Sequence, residues 1–184
     1  MGRYTSQQRD RACSSYRNRK PSMGKIMSKR SLVLPYRPCA GIMLLNNKGK
    51  VFVARRIDTD TEAWQMPQGG IENGEDPKVA AIRELEEETG ITQADIIAEY
   101  QDWLTYDLPD KLYGKVWKGR YGGQTMKWYV MRFHGEDSDI NIKTRHPEFS
   151  SWRWVDMNDL QEIIVPFKRD IYKALSEKFY YLTE

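Results

Sequence analysis

The most constraining feature of this chain is the segment 69–91, in which signals for a helix start and a helix end enclose a run of glutamates. Asp76 is a favourable helix N-cap residue, and Pro77 suits the first helical position. Gly90 suits the helix end, because glycine readily adopts the left-handed conformation that closes a last turn. The segment therefore predicts one short helix that begins at Pro77 and ends before Gly90.

Three glutamates of this helix are predicted to share one face, because Glu84, Glu87 and Glu88 stand at positions i, i+3 and i+4. Two unit charges about 4 Å apart repel by roughly 4 kcal/mol at an effective dielectric of about 20, so such a face needs compensation. Arg83 supplies one positive charge, and a divalent cation would supply more. Carboxylate oxygens suit Mg²⁺ or Mn²⁺. On spacing alone, a solvated charged face is the more common interpretation of such a helix.

The residues around these glutamates match a longer pattern. The segment resembles the signature of the Nudix family, which is Gly, five residues, Glu, seven residues, then Arg-Glu-apolar-any-Glu-Glu-any-Gly-apolar. Every spacing is intact, and the matching residues are Gly69, Glu75, Arg83, Glu84, Leu85, Glu87, Glu88, Gly90 and Ile91.

This resemblance implies that the loop, helix and following loop bind a divalent metal, Mg²⁺ or Mn²⁺, together with a substrate diphosphate. Glu84, Glu87 and Glu88 match the catalytic metal ligands, and Glu84 also matches a candidate general base. The backbone carbonyl of Gly69 matches a further metal ligand. The remaining matches imply a structural role in orienting the loop and ending the helix, and they are Glu75, Arg83 and Gly90.

A wider resemblance covers about residues 35–180 and includes the segments 36–38, 64–71, 103–109, 147–149 and 167–169. These segments look like those of bacterial RNA pyrophosphohydrolases and related dinucleoside polyphosphate hydrolases within the family. The likeness implies that Glu148 is another metal ligand. The positions that it implies for substrate binding are Arg37, Arg56, Tyr106, Gln124, Lys127, Phe167 and Lys168.

Some of these positions also have a purely structural interpretation. Arg37 and Arg56 also fit solvated residues at the edge of a strand. Phe167 also fits the apolar stripe of a last helix predicted over about 166–180, in which Ile171, Leu175 and Phe179 recur every four residues.

The identity of the substrate stays open between two related classes. Asp107 and Asp110 place two acids in a loop where RNA-cleaving relatives often carry basic residues, and acids there would repel an RNA backbone. This favours small dinucleoside polyphosphates. A basic N-terminal segment favours an RNA 5′ end. A non-catalytic module that binds nucleotides or RNA on a Nudix fold is the alternative, although no signature glutamate is missing.

The alternation of strand-like and helical segments predicts an α+β fold, with a mixed β-sheet sandwiched between helices. Residues 39–46 and 50–56 predict two strands joined by a turn at 47–49. Further strands are predicted within 91–100, 124–134 and 152–155. The Nudix hydrolase domain is expected to span residues 31–184.

Residues 1–30 form a basic extension with nine Lys or Arg residues and one acid, whereas the rest of the chain has 20 basic and 25 acidic residues. The extension fits an RNA tether, a targeting segment, a disordered tail or an upstream start. The chain has no run of apolar residues long enough for a membrane helix, and its two cysteines lie in unlike contexts. A cytoplasmic location with free thiols is therefore expected, and the sequence leaves the oligomeric state open.

Overall fold

The computed structural model describes residues 34–58 and 62–184. The basic extension 1–30 and the interpretations placed on it lie outside the described residues.

A mixed sheet of seven strands forms the centre of the described structure. Its strands are β1 (Tyr36–Leu45), β2 (Val51–Arg56), β3 (Gln68–Gly70), β4 (Ala94–Glu99), β5 (Leu104–Asp107), β6 (Gly123–Phe133) and β7 (Phe149–Val155). The helices are α1 (Pro77–Thr89), α2 (Leu160–Ile163) and α3 (Arg169–Phe179). Short 3₁₀ turns lie at Val116–Gly119, Asp137–Asp139, Met157–Asp159, Pro166–Lys168 and Tyr180–Thr183.

The strand order along the sheet is β4-β6-β1-β2-β7, with β3 paired to β1 and β5 paired to β6. β1 and β6 run parallel, and the other pairs are antiparallel. The predicted hairpin is confirmed, since Leu45 of β1 pairs with Val51 of β2 across the turn.

Both faces of the sheet are covered, and alternate side chains of the central strand β1 enter the core on each side. On one face, Ile42 and Leu44 of β1 pack with Ala81 and Leu85 of α1. On the other face, Met43 belongs to the core that α2 and α3 cover, and that core includes Leu160, Ile171, Leu175 and Phe179. The predicted α+β sandwich of a mixed sheet between helices is confirmed.

The local signals for α1 act as predicted. The Asp76 side chain accepts a hydrogen bond from the Lys78 backbone N–H at 2.8 Å, and Pro77 is the first helical residue. Gly90 has a φ of 69°, and its N–H donates to the Glu86 carbonyl at 2.8 Å. Both helix ends thus have partners for backbone groups that would otherwise lack them.

The last helix begins later than predicted. α3 starts at Arg169, and residues 166–168 form a 3₁₀ turn that Pro166 opens. Ile171, Leu175 and Phe179 are buried as the predicted apolar stripe, but Phe167 lies on the preceding turn and is only partly buried. None of the helices in the described ranges combines the length and apolar character needed to span a bilayer.

We expect the Asp76→Ala substitution to lower the free energy of unfolding by about 1 kcal/mol, because it removes the N-cap acceptor of α1. Asp76→Asn should retain most of the stability, since asparagine caps helices about as well as aspartate. Urea denaturation of the three proteins measures both changes. Equal losses in the two variants would show that the cap hydrogen bond is not the source of the effect.

Candidate active site

A cavity of about 860 Å³ opens at the end of the sheet where β3 meets α1. The strand register brings its walls together: Tyr106 of β5 pairs with Gln124 of β6, and Gln124 pairs with Arg37 of β1. β1 also pairs with β3, which places Gly69 beside these residues. Most of the sequence-predicted residues line this cavity, and they are Arg37, Arg56, Gly69, Glu84, Glu87, Tyr106, Gln124, Glu148, Phe167 and Lys168.

The three signature glutamates of α1, Glu84, Glu87 and Glu88, differ in their exposure. The side chain of Glu87 is 60% exposed and that of Glu84 is 13% exposed. Glu88 is buried, and its Oε2 accepts a hydrogen bond from the Gln68 backbone N–H at 3.0 Å. Its Oε1 is also buried and has no hydrogen-bond partner among the described residues.

Burial raises the pKa of both inner carboxyls. For Glu84 the largest cause is desolvation, and neighbouring Glu87 and Glu148 add to it while Arg83 opposes it. For Glu88, desolvation comes first and the charges of Glu148 and Glu84 follow. The site therefore favours any positive charge that enters between these groups.

Gly69 is tightly constrained by the carboxylate of Glu84. A β-carbon at position 69 would lie 1.8 Å from Glu84 Oε2, so a side chain there would collide with the carboxylate. Only glycine lets the β3 backbone approach the α1 carboxylates this closely, as a carbonyl that joins a metal site has to do.

Arg83 connects the acidic face to the loop before α1. Its guanidinium donates to both carboxylate oxygens of Glu75, at 2.8 and 2.9 Å, and to the Gly70 carbonyl at 2.9 Å. It also donates to Glu84 at 2.8 Å and to Glu87 at 3.1 Å. The hydrogen bonds from Arg83 lower the pKa of Glu75 to about 2. This is the geometry expected of a pair that holds the loop in shape.

Arg56 forms a second charged cluster in the lining of the cavity. Its Nε and Nη2 donate to the two oxygens of Asp58 at 2.7 and 2.9 Å, and its Nη1 donates to Glu148 Oε2 at 2.9 Å. The hydrogen bond to Asp58 is the largest cause of the raised pKa of Arg56. Sequence reasoning did not single out Asp58, although an acid two residues after a strand-end arginine is a usable signal.

The glutamates suit a divalent cation chemically, although no three His, Cys, Asp or Glu side chains in the described ranges form a ready-made metal cluster. Arg83 pairs with Glu84 and Glu87, and Arg56 pairs with Glu148. The unpartnered Glu88 Oε1 is a buried acceptor that a cation would satisfy. Carboxylate and carbonyl oxygens are the ligands that hard divalent cations prefer.

The other half of the cavity combines aromatic rings with a buried lysine. The rings of Tyr106 and Phe167 lie 5.4 Å apart, and Lys168 Nζ lies 5.4 Å from the Tyr106 ring centre. The ammonium donates to Gln68 Oε1 at 2.9 Å. Burial, followed by the charge of Arg56, lowers the pKa of Lys168 to about 8.

A buried chain of polar side chains continues from this lysine. Gln68 Nε2 donates to Gln124 Oε1 at 3.2 Å, and the Tyr106 hydroxyl donates to the same oxygen. Gln124 Nε2 lies 2.8 Å from the sulfur of Cys39, a free buried cysteine. Burial raises the pKa of Cys39 to about 11, so its thiol stays protonated. Sequence reasoning noted Gln68 only as part of a motif and did not identify its central position.

The structure does not bring Lys127 into the cavity. Its ammonium donates to the backbone carbonyls of Tyr100 and Gln101 at 2.7 and 2.8 Å. Lys127 therefore holds the segment between β4 and β5, and it is not among the residues that reach a ligand here. In its place the cavity gains Trp117, whose ring lies 5.8 Å from the Arg37 guanidinium carbon. Trp117 has a left-handed φ of 50°, which sequence inspection does not reveal.

Comparisons with known proteins agree with this geometry. The model of the NUDIX domain matches residues 35–175. A protein named RNA pyrophosphohydrolase from Roseobacter denitrificans is 62% identical over 148 residues, which cover 79% of this chain and 92% of that protein. A protein of the same name from Sphingopyxis alaskensis is 61% identical, with 79% and 94% covered.

Solved structures share the fold at low identity. The E. coli dihydroneopterin triphosphate pyrophosphohydrolase superposes with a TM-score of 0.61 at 21% identity, over 76% of this chain and 96% of that chain. A C. elegans Ap4A hydrolase binary complex gives 0.55 at 20% identity, over 77% and 98%. Three signature residues, Gly69, Glu84 and Glu87, line one cavity. The domain model spans most of the described chain, and relatives align over nearly their full length, so this chain belongs to the Nudix family of hydrolases.

Proposed function

We propose that this chain is a divalent-metal-dependent pyrophosphohydrolase that cleaves a phosphoanhydride bond in nucleoside 5′-polyphosphate ends. Its substrates are the 5′-triphosphate end of RNA, which would be left with a 5′-monophosphate, or a dinucleoside polyphosphate. The observation that carries the proposal is a single cavity with carboxylates at one side and, at the other, a lysine beside an aromatic pair. Relatives named RNA pyrophosphohydrolase support it.

Glu84, Glu87, Glu88 and Glu148, with the Gly69 carbonyl, would hold the metal, which we propose to be Mg²⁺ or Mn²⁺. Such ions neutralise phosphate charge and lower the pKa of bound water. Glu84 is the candidate general base, because it matches that position in the family signature and lines the cavity.

Metal binding would also change the hydrogen bonds of Arg56. A carboxylate that turns to a cation has to release the guanidinium that it now holds, so Arg56 would lose Glu148 and keep Asp58. This frees Nη1 for a phosphate oxygen, while Asp58 keeps the guanidinium in place. A charge-assisted bond of this kind suits arginine, whose planar fork matches phosphate geometry.

The aromatic half of the cavity would hold the nucleotide. A base can stack against Phe167 beside Tyr106, which is worth roughly 1–3 kcal/mol and tolerates any base. Lys168 and Arg37 lie on the same side and can contact phosphates. A module that binds without chemistry is less well supported, because every signature glutamate is present, and Glu84 and Glu87 line the cavity.

We expect Glu87→Gln to lower kcat on the order of 10³-fold, as the loss of a group that stabilises charge in the transition state does. Glu86→Gln is the matched control, because Glu86 is an exposed neighbour on α1 that does not line the cavity. Turnover of 5′-triphosphorylated RNA and diadenosine tetraphosphate in Mg²⁺ or Mn²⁺ measures both. Wild-type turnover by Glu87→Gln would refute the proposed metal site.

The lowered pKa of Lys168 predicts a pH dependence. The protonated ammonium attracts phosphate, so kcat/KM, which reports the free enzyme, should fall as pH rises through about 8. In Lys168→Arg the charge persists at these pH values, so this fall should be absent even where overall activity is lower. Lys127→Arg is the control and should keep the wild-type profile. A fall of the same shape in Lys168→Arg would assign the titration to another group.

A further inference from the structure

A second cleft, of about 710 Å³, adjoins the catalytic cavity. The two spaces share Arg37, Gly70 and Glu84 in their walls, so these residues form the ridge between them. Trp103 and Tyr121 line only the second cleft, which we call the Trp103 cleft. Tyr106, Phe167 and Lys168 line only the catalytic cavity.

Trp103 is unusually available for a ligand. It is 45% exposed, it belongs to neither apolar core, and no aromatic pair in the described part of the chain includes it. Tyr121, which also lines the cleft, makes an edge-on contact with Trp117, with ring centres 6.3 Å apart. An exposed indole in a cleft is suited to stacking with a flat aromatic ligand.

The charges of the cleft favour a nucleoside over a strand of RNA. Glu72, Glu75 and Glu84 contribute carboxylates, and the Arg83 guanidinium is already bound by glutamates. Arg37 is the remaining cation of the lining, and the catalytic cavity shares it. A phosphodiester chain needs repeated cations, which this lining does not offer. A nucleoside brings a stacking base and hydroxyl donors that an exposed carboxylate such as Glu72 can accept.

The two spaces adjoin at the ridge of Arg37, Gly70 and Glu84, beside which the phosphates would be bound. A 5′-triphosphorylated RNA has a nucleoside at only one end of its phosphate chain, whereas a dinucleoside polyphosphate has one at each end. We propose that the Trp103 cleft binds the second nucleoside of a dinucleoside polyphosphate by stacking of its base on Trp103, while the first base lies beside Tyr106 and Phe167. This inference rests on the proposed function and selects among its substrates.

The test compares diadenosine tetraphosphate with adenosine 5′-tetraphosphate, which lacks only the second nucleoside. In Trp103→Ala, the ratio of their kcat/KM values should fall roughly 5- to 150-fold, which corresponds to the loss of one stacked base. Trp103→Phe should restore most of the ratio, because it keeps a stacking face. Tyr181→Ala, which removes an exposed aromatic ring outside both spaces, should leave the ratio unchanged.

Binding is measured separately from turnover by calorimetry in the Glu87→Gln background. Trp103→Ala should weaken binding of the dinucleotide by a similar factor and leave adenosine tetraphosphate unaffected. Equal losses for both ligands, or no loss for either, would overturn the proposal. If the wild-type protein cleaves the tested substrates but Trp103→Ala leaves the ratio of kcat/KM values unchanged, only this inference is contradicted. If the wild-type protein cleaves none of them, the proposed function is contradicted.

Discussion

The charge balance that Arg83 maintains on α1 is the constraint on which the rest of the site depends. Its guanidinium meets three carboxylates and one backbone carbonyl, those of Glu75, Glu84, Glu87 and Gly70. Carboxylates so close together repel one another by several kcal/mol unless a cation lies between them. The same guanidinium also fixes the preceding loop and β3. Its loss would therefore change both the charge balance and the shape of the cavity floor. A lysine would keep the charge but lose the fork that joins these elements.

Gln68 connects the acidic half of the cavity to the half that contains the lysine. Its backbone N–H donates to Glu88, and its side-chain oxygen accepts from Lys168. A change in the position of Glu88 is therefore transmitted to the ammonium through one residue. The neighbouring Gly69 allows this arrangement, because its missing side chain lets β3 lie against α1. We infer that this short strand, rather than the loops around it, fixes the position of one half of the site relative to the other.

Local signals were sufficient to predict α1, since the cap at Asp76, the proline after it and the left-handed glycine at its end each act within one turn. The meeting of Tyr106, Gln124 and Arg37 depends on the register of three strands, which no local pattern contains.

Resemblance supplied most of the candidate site, but it placed Lys127 among the substrate contacts, whereas the ammonium is bound by backbone carbonyls. The position of a long side chain's charged end is decided by the partners that folding brings near. Asp58 was not identified for the same reason. Its role becomes visible only when Arg56 is seen to hold it and Glu148 together. Trp117 owes its position to a left-handed backbone that a non-glycine residue seldom adopts, so sequence propensities point away from it.

The buried thiol of Cys39 has a consequence for the chemistry that the protein tolerates. The sulfur touches the amide of Gln124, so any adduct on it would disturb the nucleotide half of the cavity. Yet it has no solvent-accessible surface, and its raised pKa leaves almost no thiolate at neutral pH, which is the form that oxidants and alkylating agents attack. Peroxide or a maleimide should therefore spare this position in the folded state. Its modification would report that the strands around it have opened.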